Sequence, residues 1–325
     1  MAGHIADVIS MQEVQLEQLP RYRVVCVLRP RQSNTLDQIL KRCESLGIRT
    51  VADVDDLVFT PKYAAESPSV INNQASEFSV RAQFKRNLQA MSCFDEITTA
   101  TEPLAHHWGE QSDAAPVTVI PNGLSPRWLK TAVTSNYCSQ NHQPTITYLP
   151  GSRSHNEDFR LIADVLADVL NSRKELKLLI VGSLDIADGQ FPARQLLRAS
   201  WVEYFSLPHV IAASTVTLAP LTSSPFNHSK SHIKFIESAA FGTPAICSPN
   251  YDICRHESSG LQIANSVDEW HAAIHSVLQN TATDAVRDAM KHQVRSAATA
   301  HQSADLLINM LTQSVDSEWP NAAGL

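Results

Sequence analysis

Short runs of aliphatic and β-branched residues alternate along this chain with longer stretches whose apolar positions recur every three to four residues. "YRVVCVL" (Tyr22 to Leu28), "RTVADV" (Arg49 to Val54), "EITTAT" (Glu96 to Thr101) and "VTVIPN" (Val117 to Asn122) read as strands, with helices at Ser33 to Leu46 and Ser76 to Met91. A second series follows, with strands at "TITYLP" (Thr145 to Pro150), "LKLLIVG" (Leu176 to Gly182), "VTLAPL" (Val216 to Leu221) and "PAICSP" (Pro244 to Pro249), and a helix at Glu157 to Ser172. The uninterrupted apolar run of "LKLLIVG" fits a strand covered on both faces. Strands alternating with helices imply mostly parallel sheets. The expected fold is α/β, with two Rossmann-like parallel-sheet domains facing a cleft and ligand contacts at the carboxyl ends of their strands.

Between Lys130 and Pro144 the chain turns polar and loses its period, as a linker does. The expected domains are therefore 1–135 and 140–298. Val267 to Thr312 reads as helical, with apolar spacing at Ala272, Val277, Leu278, Leu306, Leu307, Met310 and Leu311. The last helix, about 300–318, is expected to complete the first domain.

Composition narrows the function. The 325 residues are 43% hydrophobic, enough for a sizeable core, and the formal net charge is −7. That balance speaks against a broad nucleic-acid footprint, which needs clustered Lys and Arg. No apolar run has the length of a membrane span and the first residues lack a secretory pattern, so the expected location is cytoplasmic. The six cysteines contain no C-x-x-C pair and read as reduced thiols. His228 with His232, and His271 with His275, have the spacing of helical metal ligands, but no third ligand accompanies either pair, and no metal is expected. The Gly-rich and nucleophile-elbow fingerprints of NTPases, dinucleotide enzymes and α/β hydrolases are absent.

The densest stretch is "SPFNHSKSHIKFIESAAFGTPAIC" (Ser224 to Cys247). On a helix from about Lys230 to Phe241, Lys230, Lys234 and Glu237 share one stripe and Ile233, Ile236 and Ala240 the neighbouring apolar one. Glu237 then borders the core, where a carboxylate needs a partner. Two readings stay open on spacing alone: an ordinary helix ion pair, or an anion-binding helix start capped by Asn227 or Ser229 with Glu237 holding hydroxyl groups.

"KSHIKFIESAAFGTP" resembles the donor-binding segment of family 4 retaining glycosyltransferases, two-domain enzymes of the GT-B fold, in which a glutamate opens E-A-x-A-x-G-x-P. Glu237 matches the second of that family's paired glutamates, and Ser229 stands where the first would fall. "ITYLPGSRSHNEDF" resembles the strand, glycine loop and helix that open the donor domain. There the family's Gly-Arg and later Lys hold the diphosphate, whereas here Ser152 follows Gly151, Glu157 occupies the lysine position, and Arg153 and His155 are the replacements. "LKLLIVGS" with Gly182, "HVIAASTVTLAPL", and "DEITTATEPLAHHW" followed by "VTVIPNGL" resemble further segments in matching order. The first domain looks reduced beside the family's, because no glycine-rich loop precedes "YRVVCVL".

The resemblance implies a metal-independent glycosyltransferase without a cofactor. It would move a sugar, with retention, from a nucleotide-diphosphate donor to a saccharide or lipid-linked acceptor. Its expected catalytic group is Glu237, Lys230, His155 and Arg153; its donor contacts are Gly151, Ser152, Gly182, Asn227, Ser229, Ser231 and Lys234. Arg29, Asp55, Asp56 and Asn122, at strand ends of the first half, are the acceptor-side candidates. Partners would be the nucleotide sugar and the acceptor, with room for peripheral contact at the inner membrane face or with a partner protein. A sugar-nucleotide epimerase on the same fold and a non-catalytic nucleotide-sugar-binding subunit are the alternatives.

Overall fold

The computed structural model describes residues 6–111, 113–134, 143–258, 260–280 and 282–313. The chain divides into two compact units, one running to Ala65 and resuming over Glu77–Val119, the other comprising Glu66–Ser76 and everything from Ile120 on.

The first unit holds β1 (Val24–Leu28), α1 (Asn34–Leu46) and β2 (Arg49–Val54), and, after the excursion that carries α2 (Pro68–Ile71), α3 (Glu77–Met91), β3 (Glu96–Thr99), α4 (Glu102–Gly109) and β4 (Val117–Val119). Its four strands are parallel and lie in sequence order. Helix α1 starts where Ser33 Oγ accepts from Leu36 N at 3.1 Å, and it ends at Gly47, whose φ of 63° closes the helix in the left-handed region.

The second unit continues with α5 (Pro126–Thr134), β5 (Thr145–Gly151), α6 (Asn156–Ser172), β6 (Lys177–Gly182), β7 (Leu196–Ala199), α7 (Leu207–Ala212), β8 (Val216–Ala219), α8 (Pro225–His228), α9 (Ile233–Ala239), β9 (Ala245–Cys247) and β10 (Leu261–Ile263). Helices α10 (Val267–Gln279), α11 (Asp284–Ala297) and α12 (Ala300–Gln313) follow. The six strands are parallel in the order β10-β9-β8-β5-β6-β7. Alternate residues feed opposite faces, as the pleat requires. Ile146, Tyr148, Leu178 and Ile180 pack with α6 and α10 residues such as Phe159, Leu166, Trp270 and Ile274, whereas Leu149, Val181, Ala245 and Cys247 pack with Trp128, Phe235, Ile236 and Met290. The Val, Leu, Ile, Phe and Met side chains among them contribute about 1.5–3 kcal/mol each on burial.

The order of this sheet matters for function. From β5 the chain moves outward through β6 and β7 on one side, then returns to place β8 on the other side of β5. Parallel sheets open a crevice at the carboxyl ends of the two strands where the order reverses.

The α/β expectation with two parallel-sheet units holds, but several boundaries differ. The chain divides at Val119 rather than near 135, and residues 130–134, read as linker, are helical in α5. Residues 135–142 and 314–318 lie outside the described residues. Helix α12 groups with the second unit rather than the first: Ala300 N donates to Leu124 O at 2.9 Å and Ser303 Oγ to Pro121 O at 2.6 Å. Gly123 makes this approach feasible, since a Cβ there would meet the Thr299 carbonyl at 2.5 Å. The helix expected over Lys230 to Phe241 is shorter and broken, with α8 ahead of α9 and Lys230 on the turn between them. No helix among the described residues is long and apolar enough to cross a membrane.

Candidate functional site

The carboxyl ends of β5 and β8 are tied together by one side chain. Asp158, in the first turn of α6 and buried, accepts at Oδ1 from Thr222 N at 2.7 Å, Thr222 Oγ1 at 2.9 Å and Asn227 Nδ2 at 3.2 Å. Its Oδ2 lies 2.9 Å from Nδ1 of His155, on the turn after β5. A single carboxylate therefore fixes the β5 loop to the β8 loop across the reversal point. Sequence reading passed over Asp158, although its three-residue offset from His155 is the spacing at which helical side chains meet.

Around this link lie most of the expected donor-side residues. Gly151 ends β5 with φ 72°, and Ser152 Oγ and Ser154 Oγ share a hydrogen bond at 2.7 Å. Gly182 has φ 121°, and a Cβ there would come within 2.8 Å of the Gly151 backbone. Its lack of a side chain is thus required by contact between β5 and β6. Asn227 does not cap α9. Its Nδ2 is spent on Asp158 and Thr222, its Oδ1 is buried without a hydrogen-bond partner among the described residues, and the cap of α8 is Ser224, whose Oγ accepts from Asn227 N at 3.1 Å. Nor does Ser229 cap α9, since its Oγ donates to Pro225 O at 2.8 Å.

The residue before α9 is His232, and its amide donates to Asp252 Oδ2 at 3.0 Å, so a carboxylate of the chain already answers the helix start where an anionic ligand was expected. Ser231 Oγ accepts from Asn122 Nδ2 at 2.9 Å, so Asn122, which groups with the second unit, supports the turn before α9. Lys230 places Nζ 5.0 Å from the centre of the Phe226 ring.

Lys234 and Glu237 do form the ion pair read from their spacing, at 3.5 Å. The geometry is not that of a satisfied bridge. Glu237 is 6% exposed, and its Oε2 meets Lys234 Nζ only at that long distance, with no closer partner among the described residues, while the Lys234 side chain is about half exposed. Burial pushes the Glu237 carboxyl up, and Lys234 offsets this only in part. Tyr204 lies on this side as well: its ring packs 5.0 Å from that of Trp128, and burial, followed by the charge of Glu237, raises its hydroxyl.

The remaining candidates sit in ion pairs. Arg153 Nε lies 3.4 Å from Asp185, in an exposed pair. In the first unit, Arg29 adopts φ 47° and its guanidinium is taken by Asp55 and by Asp56, the latter at 2.9 Å, so it offers no open charge to an anion. Among the described residues no group of three or more His, Cys, Asp or Glu could hold a metal ion.

Beneath α9 lies a polar chain that no local pattern signals. Gln293 Nε2 is 3.3 Å from His256 Nδ1, His256 Nε2 is 2.9 Å from His232 Nδ1, and His232 Nε2 is 3.2 Å from the Asn122 carbonyl. Asp252 Oδ2 also lies 3.1 Å from His232 Nδ1. Burial first, then the charges of His232 and Arg255 against that of Asp252, brings His256 down from 6.5 to about 4. The unfolded chain therefore binds a proton between those values that the native chain refuses. Stability is present above pH 6.5 and lost as pH falls toward 4, by on the order of 1–2 kcal/mol after solvent screening of a half-buried ring. Thermal melts between those two pH values should show this loss, and His256→Gln should flatten it.

Comparisons with known proteins fit this geometry. Residues 143–280, the core of the second unit, match the family described as glycosyl transferases group 1. No curated protein sequence matches the chain. Among solved structures, the chain is similar to the sucrose-phosphate synthase of Thermosynechococcus elongatus, with 15% identity, 92% of this chain and 75% of that one covered, and a TM-score of 0.61. It is also similar to a UDP-forming α,α-trehalose-phosphate synthase of Burkholderia xenovorans in complex with glucose-6-phosphate, with 12% identity, 91% and 75% covered, and a TM-score of 0.62. Anabaena HepE in complex with UDP and glucose gives 11%, 93%, 80% and 0.60. At these identities the likeness shows the fold: two parallel-sheet units of the GT-B glycosyltransferase type.

Proposed function

We propose that this chain is a metal-independent, retaining glycosyltransferase that takes a sugar from a nucleotide-diphosphate donor bound on its second unit and passes it to a hydroxyl of a saccharide or lipid-linked acceptor. The observation that carries the reading is Glu237. A buried carboxylate whose Oε2 meets only the long contact to a half-exposed lysine, in the crossover after β8, is costly to the free protein and suited to a ligand that brings hydroxyl donors. Ribose and sugar hydroxyls are such donors. Departure of the diphosphate calls for positive charge fixed in advance, because preorganised electrostatics lowers such barriers more than other single effects do. Lys230 and His155 are assigned to it, with Arg153 in a lesser role because Asp185 shares its charge. Gly151 and Ser152 supply a backbone that a phosphate can approach closely. On the first unit, Arg29 with Asp55 and Asp56 form a group of net negative charge, suited to acceptor hydroxyls rather than to an anionic substrate.

Ser229 favours a second reading. Its hydroxyl is bound to Pro225 O at the position of the missing acid, as a non-catalytic subunit that binds a nucleotide sugar would allow. Turnover separates the two. A screen of UDP-glucose, GDP-mannose and ADP-glucose should find one donor that raises the melting temperature and is hydrolysed or transferred. Lys230→Ala should lower that turnover by roughly a hundredfold. Stabilisation without turnover supports the subunit, and full turnover in the variant contradicts the role given to Lys230.

A further inference from the structure

The geometry points to Asp158 as a positioning residue that makes the hold of the second unit on a diphosphate depend on a proton at Nε2 of His155. The inference rests on the donor-site reading and adds a condition to it. Nδ1 of His155 lies 2.9 Å from Asp158 Oδ2. An ionised carboxylate only accepts, so Nδ1 carries the hydrogen. Nε2 is then the remaining nitrogen, and no described residue hydrogen-bonds it. In the neutral ring so oriented, Nε2 presents a lone pair, which repels phosphate oxygens. Only the imidazolium donates there.

The arrangement is specific. Asp158 cannot swing away with the ring, because Thr222 and Asn227 hold its other oxygen with three hydrogen bonds. The ring is one-quarter exposed while the carboxylate is buried, which leaves the imidazole on the open side of the reversal point between β5 and β8. The other charged groups on the surrounding elements are Arg153 with Asp185, Glu157 with Arg160, and Lys230. Carboxylates, guanidines and amines as classes keep their charge near neutrality, whereas imidazole changes it. His228, at the end of α8, is the other imidazole on these elements and serves as the control.

Calorimetric titration of the full chain with UDP-glucose, GDP-mannose and ADP-glucose, at several values from about pH 5.5 to 8.5, tests the inference. The phosphates of these probes keep their charge over that range. Affinity for the accepted probe should fall as pH rises, approaching tenfold per unit once the imidazole is mostly neutral. Asp158→Asn should change the pH profile of binding rather than lower affinity evenly, since an amide does not fix which ring nitrogen carries the hydrogen as a carboxylate does. His155→Lys should bind with little pH dependence, and His228→Gln should behave as wild type. If Asp158 only braces the loops, its variant loses affinity equally at every pH, and the inference fails. Tight, pH-independent binding by the wild-type chain overturns the inference and leaves the donor site standing. Binding of no probe at any pH overturns the donor-site reading as well. Should Asp158→Asn not fold, the wild-type and His155→Lys profiles still decide.

Discussion

Glutamine in place of Glu237 should give a protein that melts at a higher temperature at neutral pH and transfers sugar about a hundredfold more slowly, or worse. Both effects arise from the same burial. The folded-state pKa of Glu237 is raised above its unfolded value, so its contribution to stability is fully present below the unfolded value and is lost as pH rises through the folded one. At neutral pH burial of the carboxyl group is a burden on the native state, and glutamine, of nearly equal shape, removes it. The same change removes a charged acceptor. Losing two hydrogen bonds to such a group costs about 3 kcal/mol, or roughly a hundredfold. Melting curves of both proteins across pH, with initial rates on the accepted donor, check the two parts together. A variant that loses stability and keeps its rate would mean that Lys234 and Glu237 are only a structural pair.

The second large effect is expected at Gly182. An alanine there places a methyl group within 2.8 Å of the Gly151 nitrogen and oxygen, from a residue whose φ of 121° side chains rarely adopt. Crowding and backbone strain together should cost about 3 kcal/mol or more. Because the displaced partner is the Gly151 turn, donor affinity should fall beyond what lost stability explains. Chemical denaturation measures the first effect, and titration of the folded fraction the second. In contrast, Gly151→Ala meets no atom within 4 Å and carries only the conformational penalty of φ 72°. Comparing the two variants separates crowding from backbone preference.

The strands of both sheets were legible because buried parallel strands need continuous apolar or β-branched runs, as Arg49–Val54 and Lys177–Gly182 have. Leu196–Ala199 and Leu261–Ile263 were missed for the same reason. They are edge strands with half-exposed side chains, and "LLRA" and "LQI" carry no such run. The start of α9 was misplaced because its determinants are remote. Asp252, twenty residues on, takes the amide of His232, and Asn122, far upstream, holds Ser231 and His232. Within the site, the resemblance pointed to Glu237 and to the His155 turn, whereas Asp158 read as an ordinary acid in the first turn of a helix. Only the strand order, which brings β8 beside β5, reveals what it joins.

The central claim is that Glu237 marks a nucleotide-sugar site. Calorimetric titration of wild type and Glu237→Gln with UDP-glucose, GDP-mannose and ADP-glucose at pH 6 tests it most directly. The expected result is saturable binding of at least one of them to the wild-type chain and a loss of affinity of roughly a hundredfold in the folded variant. Equal binding by the two proteins, or no binding by either, would contradict it.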